Sequence, residues 1–335
     1  MRWGLIGAST IASEFMIDAI RAQPGHSIAA VLSGNAGRGA DYARRHDIPK
    51  ATTDLTGLLS EPGLDAVYIS TTNEKHREQA LAAVAAGKHV LCEKPLAMTV
   101  AEAGEMVRAA RDRNVVFATN HHLRCAGSHN AIRDLIQSGR IGDVLSVRVF
   151  HAVHLPPHLQ GWRITNPAAG GGVIADITVH DADTVRFLLD EDPVEVVARA
   201  AVSGMGQGVE DSAMSIWTMP SGAMVQAHDS FTHPFAGSGI EVHGSRGSIH
   251  AKGVMTQKPV GAITLTDAEG VHEVPFDGHG LYEHAVAAFA AAVAGTGPAA
   301  ADGTDGIKSL AVALAVREAA ESGRVVRVDY SEVPR

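Results

Sequence analysis

Two short constellations carry residue types suited to proton transfer. The first is Glu93-Lys94-Pro95, a lysine set between a carboxylate and a proline. An ammonium there can hydrogen-bond a reacting oxygen and stabilise the negative charge that builds on it. The second is Asp176, His180 and Asp183, which follow three glycines, Gly170-Gly171-Gly172. Asp176 and His180 are four residues apart, so on a helix they share a face, and Asp183 lies three further along it. Imidazole titrates near neutrality, and a carboxylate beside it can orient the ring or bind a hydroxyl. The glycines suggest a close approach just before this helix. An Asp/His pair is also half of a metal site, with His151, His154 or His158 as possible further ligands. No third and fourth ligand is fixed by spacing, so proton transfer is the expectation and a metal is not.

A nucleotide site is suggested nearer the N-terminus. Gly7-Ala8-Ser9-Thr10-Ile11-Ala12 lies where a first apolar strand gives way to a helix. The dinucleotide fingerprint asks for glycine at its first and third positions and Gly or Ala at its sixth. Gly7 allows the tight turn, and Ala12 allows close helix–strand packing. Ser9 replaces the middle glycine, adding a Cβ near the pyrophosphate and a hydroxyl able to donate to it. The helix N-terminus adds amide donors. About 20 residues after such a turn, an NAD domain offers Asp or Glu to the ribose. This chain has Ser33, then Arg38, with no acid before Asp41. A carboxylate would repel a 2′-phosphate, whereas a hydroxyl and a guanidinium would hold one. The expected cofactor is therefore NADP(H).

These residues need elements to position them. Apolar runs at Arg2–Ile6, Ser27–Leu32, Asp65–Ser70, Lys88–Cys92 and Val115–Thr119 alternate with helical spacing at Ile11–Arg21, His76–Ala86 and Thr99–Arg113. Thr99 with Glu102 has the form of a capping box. Unbroken apolar strands separated by helices indicate a parallel sheet covered on both faces, with its ligand at the carboxyl ends of the strands. Residues 1–121 therefore read as a Rossmann NADP-binding domain. After residue 122 the pattern changes. Helices are expected at Ala126–Ser138 and Asp176–Leu189, with a strand at Val144–Val153 and a Pro/Gly/His-rich loop from Leu155 to Gly172. Strands follow at Val194–Val202, Ser212–Trp217, Met224–Phe231, Gly239–Gly244 and Ile263–Thr266. Helices at Tyr282–Ala294 and Gly306–Ala320 and a strand at Val325–Val328 end the chain. Residues 122–335 read as a substrate-binding and catalytic α+β domain with a large, mostly antiparallel sheet.

Composition sets outer bounds. The 335 residues include 28 Lys+Arg and 37 Asp+Glu, a formal net charge of −9, with 45% hydrophobic and 19% charged residues. That balance suits about two folded domains and excludes a disordered chain. An acidic chain with 4% aromatics is a poor partner for nucleic acid. No apolar run approaches the roughly 20 residues that span a bilayer. Glu14 and Asp18 interrupt the first helical stretch, so it does not read as a signal peptide. Two cysteines cannot make a disulfide framework, which fits a reducing, cytoplasmic setting.

Gly7 to Ala12, Thr71-Thr72-Asn73, His76, Glu93-Lys94-Pro95 and the Asp176/His180 pair resemble the Gfo/Idh/MocA oxidoreductases over essentially the whole chain. The resemblance implies a Rossmann domain and an open-faced sheet domain, with nicotinamide and sugar meeting between them. It implies that Ser9, Thr10, Ile11, Ser33, Arg38, Thr71, Thr72, Asn73, His76, Glu93, Lys94 and Asn120 lie at the cofactor. It also implies that Trp162 and Arg163, with Tyr282, close over the cofactor from the second domain. Lys94, Asp176 and His180 fall at the family's catalytic positions, and the expected substrate is a neutral sugar ketone reduced by hydride. His121, His122, Arg124, His154 and His158 would offer polar contacts without requiring an anionic substrate. Other readings stay open: a sugar, inositol or dihydrodiol dehydrogenase, a sugar sensor without chemistry, or an NAD-holding glycosidase, which would want an acid where Ser33 stands. Nothing in the sequence compels a dimer.

Overall fold

The apolar runs of the first 120 residues become six parallel strands: β1 (Arg2–Ile6), β2 (Ser27–Leu32), β3 (Lys50–Thr52), β4 (Ala66–Ile69), β5 (His89–Cys92) and β6 (Phe117–Thr119). Their order in the sheet is β3-β2-β1-β4-β5-β6. This order reverses beside β1, and such a reversal opens a crevice at the strands' carboxyl ends. The computed structural model describes residues 1–334. Leu5, Val31, Val67, Tyr68, Val90 and Leu91 are buried, as strands covered on both faces require. Five helices follow strands in this part: α1 (Ile17–Ala22), α2 (Ala36–Arg45), α3 (Leu55–Leu59), α4 (His76–Ala85) and α5 (Val100–Asp112). A π-helical turn, Ala12–Met16, precedes α1. Thr99 and Glu102 form the expected capping box at α5: Thr99 Oγ1 accepts from the Glu102 amide at 3.2 Å, and Glu102 accepts from the Thr99 amide at 3.1 Å.

The later residues supply α6 (Gly127–Gln137), β7 (Val144–His154), α7 (Pro157–Thr165), α8 (Val179–Leu189), β8 (Glu195–Ala201), β9 (Ser212–Thr218), β10 (Met224–Ser230), β11 (Thr232–Gly244), β12 (Gly247–Lys252), β13 (Ala262–Asp267), β14 (Gly270–Glu273), α9 (Leu281–Ala294), α10 (Gly303–Ser322) and β15 (Val326–Arg327). Nine strands form the second sheet, β14-β13-β12-β11-β7-β10-β9-β8-β15. β7 and β10 pair in parallel, and the other neighbours are antiparallel. One face is packed, with α8 against β7. The other is open: along β9, Ala213, Ser215 and Trp217 are buried while Met214 and Ile216 are exposed.

Two compact units result, Met1–His122 with Gly280–Ile307, and Leu123–His279 with Lys308–Ser331. A single boundary near residue 122 therefore needs correcting. The chain returns to the first unit through α9, where Phe289 packs on Trp3 with ring centroids 5.2 Å apart. Part of the expected loop Leu155–Gly172 is helical as α7, which Pro157 opens; a proline at the first helical position is preset for that conformation. Among the described residues no helix is long and apolar enough to cross a membrane. Cys92 and Cys125 are free and buried.

Asp211 organises the loop before β9. Its carboxylate accepts from four backbone amides: Ser203 (2.6 Å), Gly204 (3.0 Å), Met205 (2.7 Å) and Gly206 (2.8 Å). Burial opposes its ionisation, but those amides outweigh it and hold the carboxyl below the usual range. A depressed carboxyl contributes stability above its unfolded pKa and loses it as pH falls through the folded value. Asp211→Ala should therefore lower stability by about 2 kcal/mol or more at pH 7, since four loop amides lose one charged acceptor. Urea unfolding at pH 7 and near pH 3 should show the deficit shrinking in acid; an equal deficit at both would refute the role of the charge.

Candidate functional site

The first unit gathers its polar residues at the carboxyl ends of its parallel strands. Gly7 ends β1 at φ +116°, and a Cβ there would lie 3.0 Å from the Ser70 carbonyl after β4. Only glycine meets both demands. Ser9 Oγ shares a 2.7 Å hydrogen bond with Ser70 Oγ and accepts from the Ala12 amide at 3.2 Å. The expected pyrophosphate donor thus also caps the following helical turn. Thr10 is exposed, and Ile11 is half-buried beside it. After β2, Ser33 is buried and Arg38 exposed, with Arg38 Nε 3.4 Å from Ser33 Oγ. The Asn35 side chain caps α2 by accepting from the Arg38 amide at 2.9 Å. Asp41, the nearest acid in sequence, is engaged by Arg44 at 2.8 Å.

After β5, Glu93 enters the interior. Its Oε1 accepts from Tyr68 Oη at 2.5 Å and from Asn120 Nδ2 at 2.6 Å. Burial pushes the Glu93 carboxyl up, and these two donors with Lys94 oppose the shift. Asn120 Oδ1 is buried and meets no donor. An acceptor left open beside Glu93, at the edge that also carries the Gly7 turn, fits a carboxamide or ribose hydroxyl of a dinucleotide. His76 was expected at the cofactor. It is fully buried, with Nδ1 3.0 Å from the Pro95 carbonyl and Nε2 3.3 Å from the Thr71 carbonyl. Its ring therefore braces the loops that carry Lys94 and Thr71-Thr72. The Thr71 hydroxyl donates to Gln79 at 2.7 Å and Thr72 to Glu74 at 2.8 Å, while Asn73 is buried.

Tyr282 differs from expectation in the unit that carries it. It belongs to the first unit, buried between Phe15 and His122, with ring centroids 5.0 Å away on each side and planes within 17° of parallel. It extends the core of the nucleotide unit rather than reaching in from the second domain.

In the second unit, Asp176 lies in a π-helical turn, Ile174–Thr178, that runs into α8 and His180. A π turn winds through fewer degrees per residue than an α-helix, so positions four apart across it align more closely. Such turns recur at functional sites. Asp176 Oδ2 is 3.3 Å from Arg163 Nε, and the Arg163 guanidinium lies 4.9 Å from the Trp162 ring centroid. His180 is buried. The glycines before this helix serve the protein's own backbone. A Cβ on Gly171 would lie 2.8 Å from the Trp162 and Asn166 carbonyl oxygens, and one on Gly172 would overlap the Glu210 carboxylate. Gly172 N donates to the Arg163 carbonyl at 2.8 Å, tying the Trp162–Arg163 turn to the start of the helix. Glu210 accepts from the Ile174 amide at 3.2 Å; burial pushes its carboxyl up, with Arg317 opposing. No local spacing links Glu210 to Gly172, so the sequence alone did not reveal it.

Of the proposed polar contacts, Arg124 is committed to Asp183 through two hydrogen bonds, 2.8 and 2.7 Å, and His122 to the Tyr282 stack. His121 is buried, and His154 and His158 are exposed. Among the described residues the group with metal-ligand spacing is Asp267, Glu269 and His272, away from Asp176 and His180 in sequence. Arg140 already pairs with Asp267 there at 2.5 Å.

Residues 1–121 match the oxidoreductase family model with an NAD-binding Rossmann fold, and residues 129–250 match the GFO/IDH/MocA C-terminal domain. The chain belongs to the Gfo/Idh/MocA oxidoreductase family. It is 56% identical over 329 residues, 98% of each chain, to the 1,5-anhydro-D-fructose reductase of Ensifer adhaerens. It is 31% identical, over 96% of this chain and 98% of the other, to the dTDP-3,4-didehydro-2,6-dideoxy-alpha-D-glucose 3-reductase of Saccharopolyspora spinosa. The fold matches levoglucosan dehydrogenase in complex with NADH and levoglucosan at a TM-score of 0.87, with 24% identity and 98% and 99% of the two chains covered.

Gly172→Ala should destabilise the protein by about 2 kcal/mol or more, through positive φ and the clash with Glu210. Adding Glu210→Ala should recover part of that loss. Strictly additive urea-unfolding free energies, within about 0.5 kcal/mol, would show that Glu210 is not the obstacle.

Proposed function

We propose that this protein reduces 1,5-anhydro-D-fructose at C2 with NADPH, giving 1,5-anhydro-D-mannitol, in the cytoplasm. The observation that carries this reading is the end-to-end identity with the Ensifer adhaerens reductase, 56% over 98% of both chains. The bound reduced nicotinamide supplies the hydride. Ser33 and Arg38 hold its 2′-phosphate, and the absence of a neighbouring carboxylate favours NADPH over NADH. The amides after Gly7 hold the pyrophosphate, and Asn120 offers its open acceptor. His180 donates a proton to the carbonyl oxygen as the C–H bond forms, so the carbonyl becomes a secondary alcohol. Lys94 stabilises the charge that develops on that oxygen. Asp176, its charge balanced by Arg163, binds a sugar hydroxyl or orients His180.

The test is a panel of sugar ketones and osones assayed by loss of NADPH absorbance and repeated with NADH. Turnover of 1,5-anhydro-D-fructose above the rest, with NADPH preferred, is expected; no turnover would overturn the reading. Lys94→Ala and His180→Ala should each lower kcat/KM by roughly 10²–10⁴-fold. Near-full activity in both would sink the mechanism. Ser33→Asp with Arg38→Ala should move the cofactor preference toward NADH by roughly tenfold or more, about 1.4 kcal/mol of differential binding. An unchanged NADPH/NADH ratio would remove these residues from cofactor selection.

A further inference from the structure

Directly after His180 in the sequence, Asp181 is fully buried. It faces Asp229 on β10, which is also buried. Thr178, from the π turn, donates its hydroxyl to Asp229 Oδ2. If both groups were carboxylates, three oxygens would have no donor: both of Asp181 and Oδ1 of Asp229. Two bare anions facing each other in the interior are prohibitively costly, whereas one proton between them supplies the missing donor. The neighbouring arginines do not supply a counterion. On the helix, Asp183 and Arg186 pair with each other at 3.6 Å, and Arg186 also binds Asp192 at 2.7 Å. Asp176 pairs with Arg163, and His180 stands on another flank of the helix. His151 on β7 lies opposite Asp229 in register, and His228 precedes Asp229, so its side chain points to the other face of the sheet. At about 100° per residue, Thr178 and Asp181 form one flank of the helix, and Asp176, His180 and Asp183 form another.

We propose that Asp181 and Asp229 share a single proton, and that this neutralised pair is a positioning element which fixes the rotation of α8 on the sheet and thereby the aim of His180. The effect on His180 rests on the function proposed above; the shared proton does not. Burial pushes both carboxyls up, Asp181 further because of the charge on Asp229. A raised carboxyl contributes its stability below the unfolded pKa and loses it as pH rises through the folded value. The pair is thus a liability in alkali and costs nothing in mild acid.

Asp181→Asn keeps a donor toward Asp229 and removes the second acid; Asp181→Ala removes both. The Asn variant should keep kcat within about twofold, and the Ala variant should lower it roughly tenfold or more with NADPH affinity unchanged, since small misplacements of a reacting group are costly. Infrared difference spectra at pH 7 should show one protonated-carboxyl band lost in the Asn variant, and its Tm should fall less between pH 7 and 10 than that of the wild type. Equal kcat in the wild type and the Ala variant, or equal losses in the Ala and Asn variants, would overturn the positioning role. An unchanged infrared spectrum would overturn the shared proton. Should Asp181→Ala not fold, the Asn variant's spectrum and pH profile still decide. Should no sugar ketone be turned over, the function fails while those two measurements still judge the pair.

Discussion

Everything at the nucleotide edge depends on strands that run in parallel. Because β1, β4, β5 and β6 all end on the same side, residues as far apart in sequence as Gly7 and Asn120 gather along one edge without any long connection. The backbone shows how tight this is: the Asn120 amide donates to the Cys92 carbonyl at 2.7 Å, and the Glu93 amide donates to the Ile69 carbonyl at 2.9 Å. At such an edge the last ladder bonds run out and polar side chains must take over. Tyr68, Glu93 and Asn120 form one such continuation inside the fold, and Ser9 with Ser70 forms another. Side chains committed to these links give the edge a fixed shape before any ligand arrives, which lowers the ordering cost of binding.

The second unit solves a different problem with different means. A helix bearing Asp176 and His180 must start abruptly and hold one rotation over a sheet. Its start is crowded, and Gly171 and Gly172 let the α7 turn and Glu210 press against it. Its rotation is set from the sheet side by Thr178, Asp181 and Asp229. Two acids the chemistry does not use, Glu210 and Asp229, are therefore as much a part of the helix's placement as its apolar packing. Buried acids in this chain follow one rule: each either gains several donors, as Asp211 does, or gives up part of its charge.

How much of this was legible in the sequence follows from how local each signal is. The parallel sheet was legible because buried strands leave apolar runs that need no partner to be recognised, and the capping box at Thr99 because it lies within one turn. The Gly7 turn and the Ser33/Arg38 pair were equally local. What escaped was carried by long-range contact. The return of α9 to the first unit is packing between segments nearly 300 residues apart, Trp3 and Phe289. β3, three residues long at a sheet edge, has too little pattern to separate from a loop. The glycine run reads as a close approach, but what approaches was not legible, since only tertiary structure brings Glu210 there. The bracing contacts of His76 to the Pro95 and Thr71 carbonyls escaped for the same reason.

The acidic average raises a last physical question, since a chain of net charge −9 is proposed to hold a polyanion. A formal sum says nothing of where each charge lies, and this fold sets a base against several of its acids. Asp41 is neutralised by Arg44, Asp183 by Arg124, and Asp192 by both Arg186 and Lys308. Glu93, the acid nearest Lys94 in sequence, has burial working against its ionisation. The field at a binding edge falls off within about 8–10 Å at physiological salt, so nearby amides and a guanidinium outweigh distant surface acids. A negative chain and an anionic ligand are compatible wherever the local acids are paired, buried or protonated. Between Gly7 and Arg38 the only acids are Glu14 and Asp18, both carried on the helical stretch after the turn.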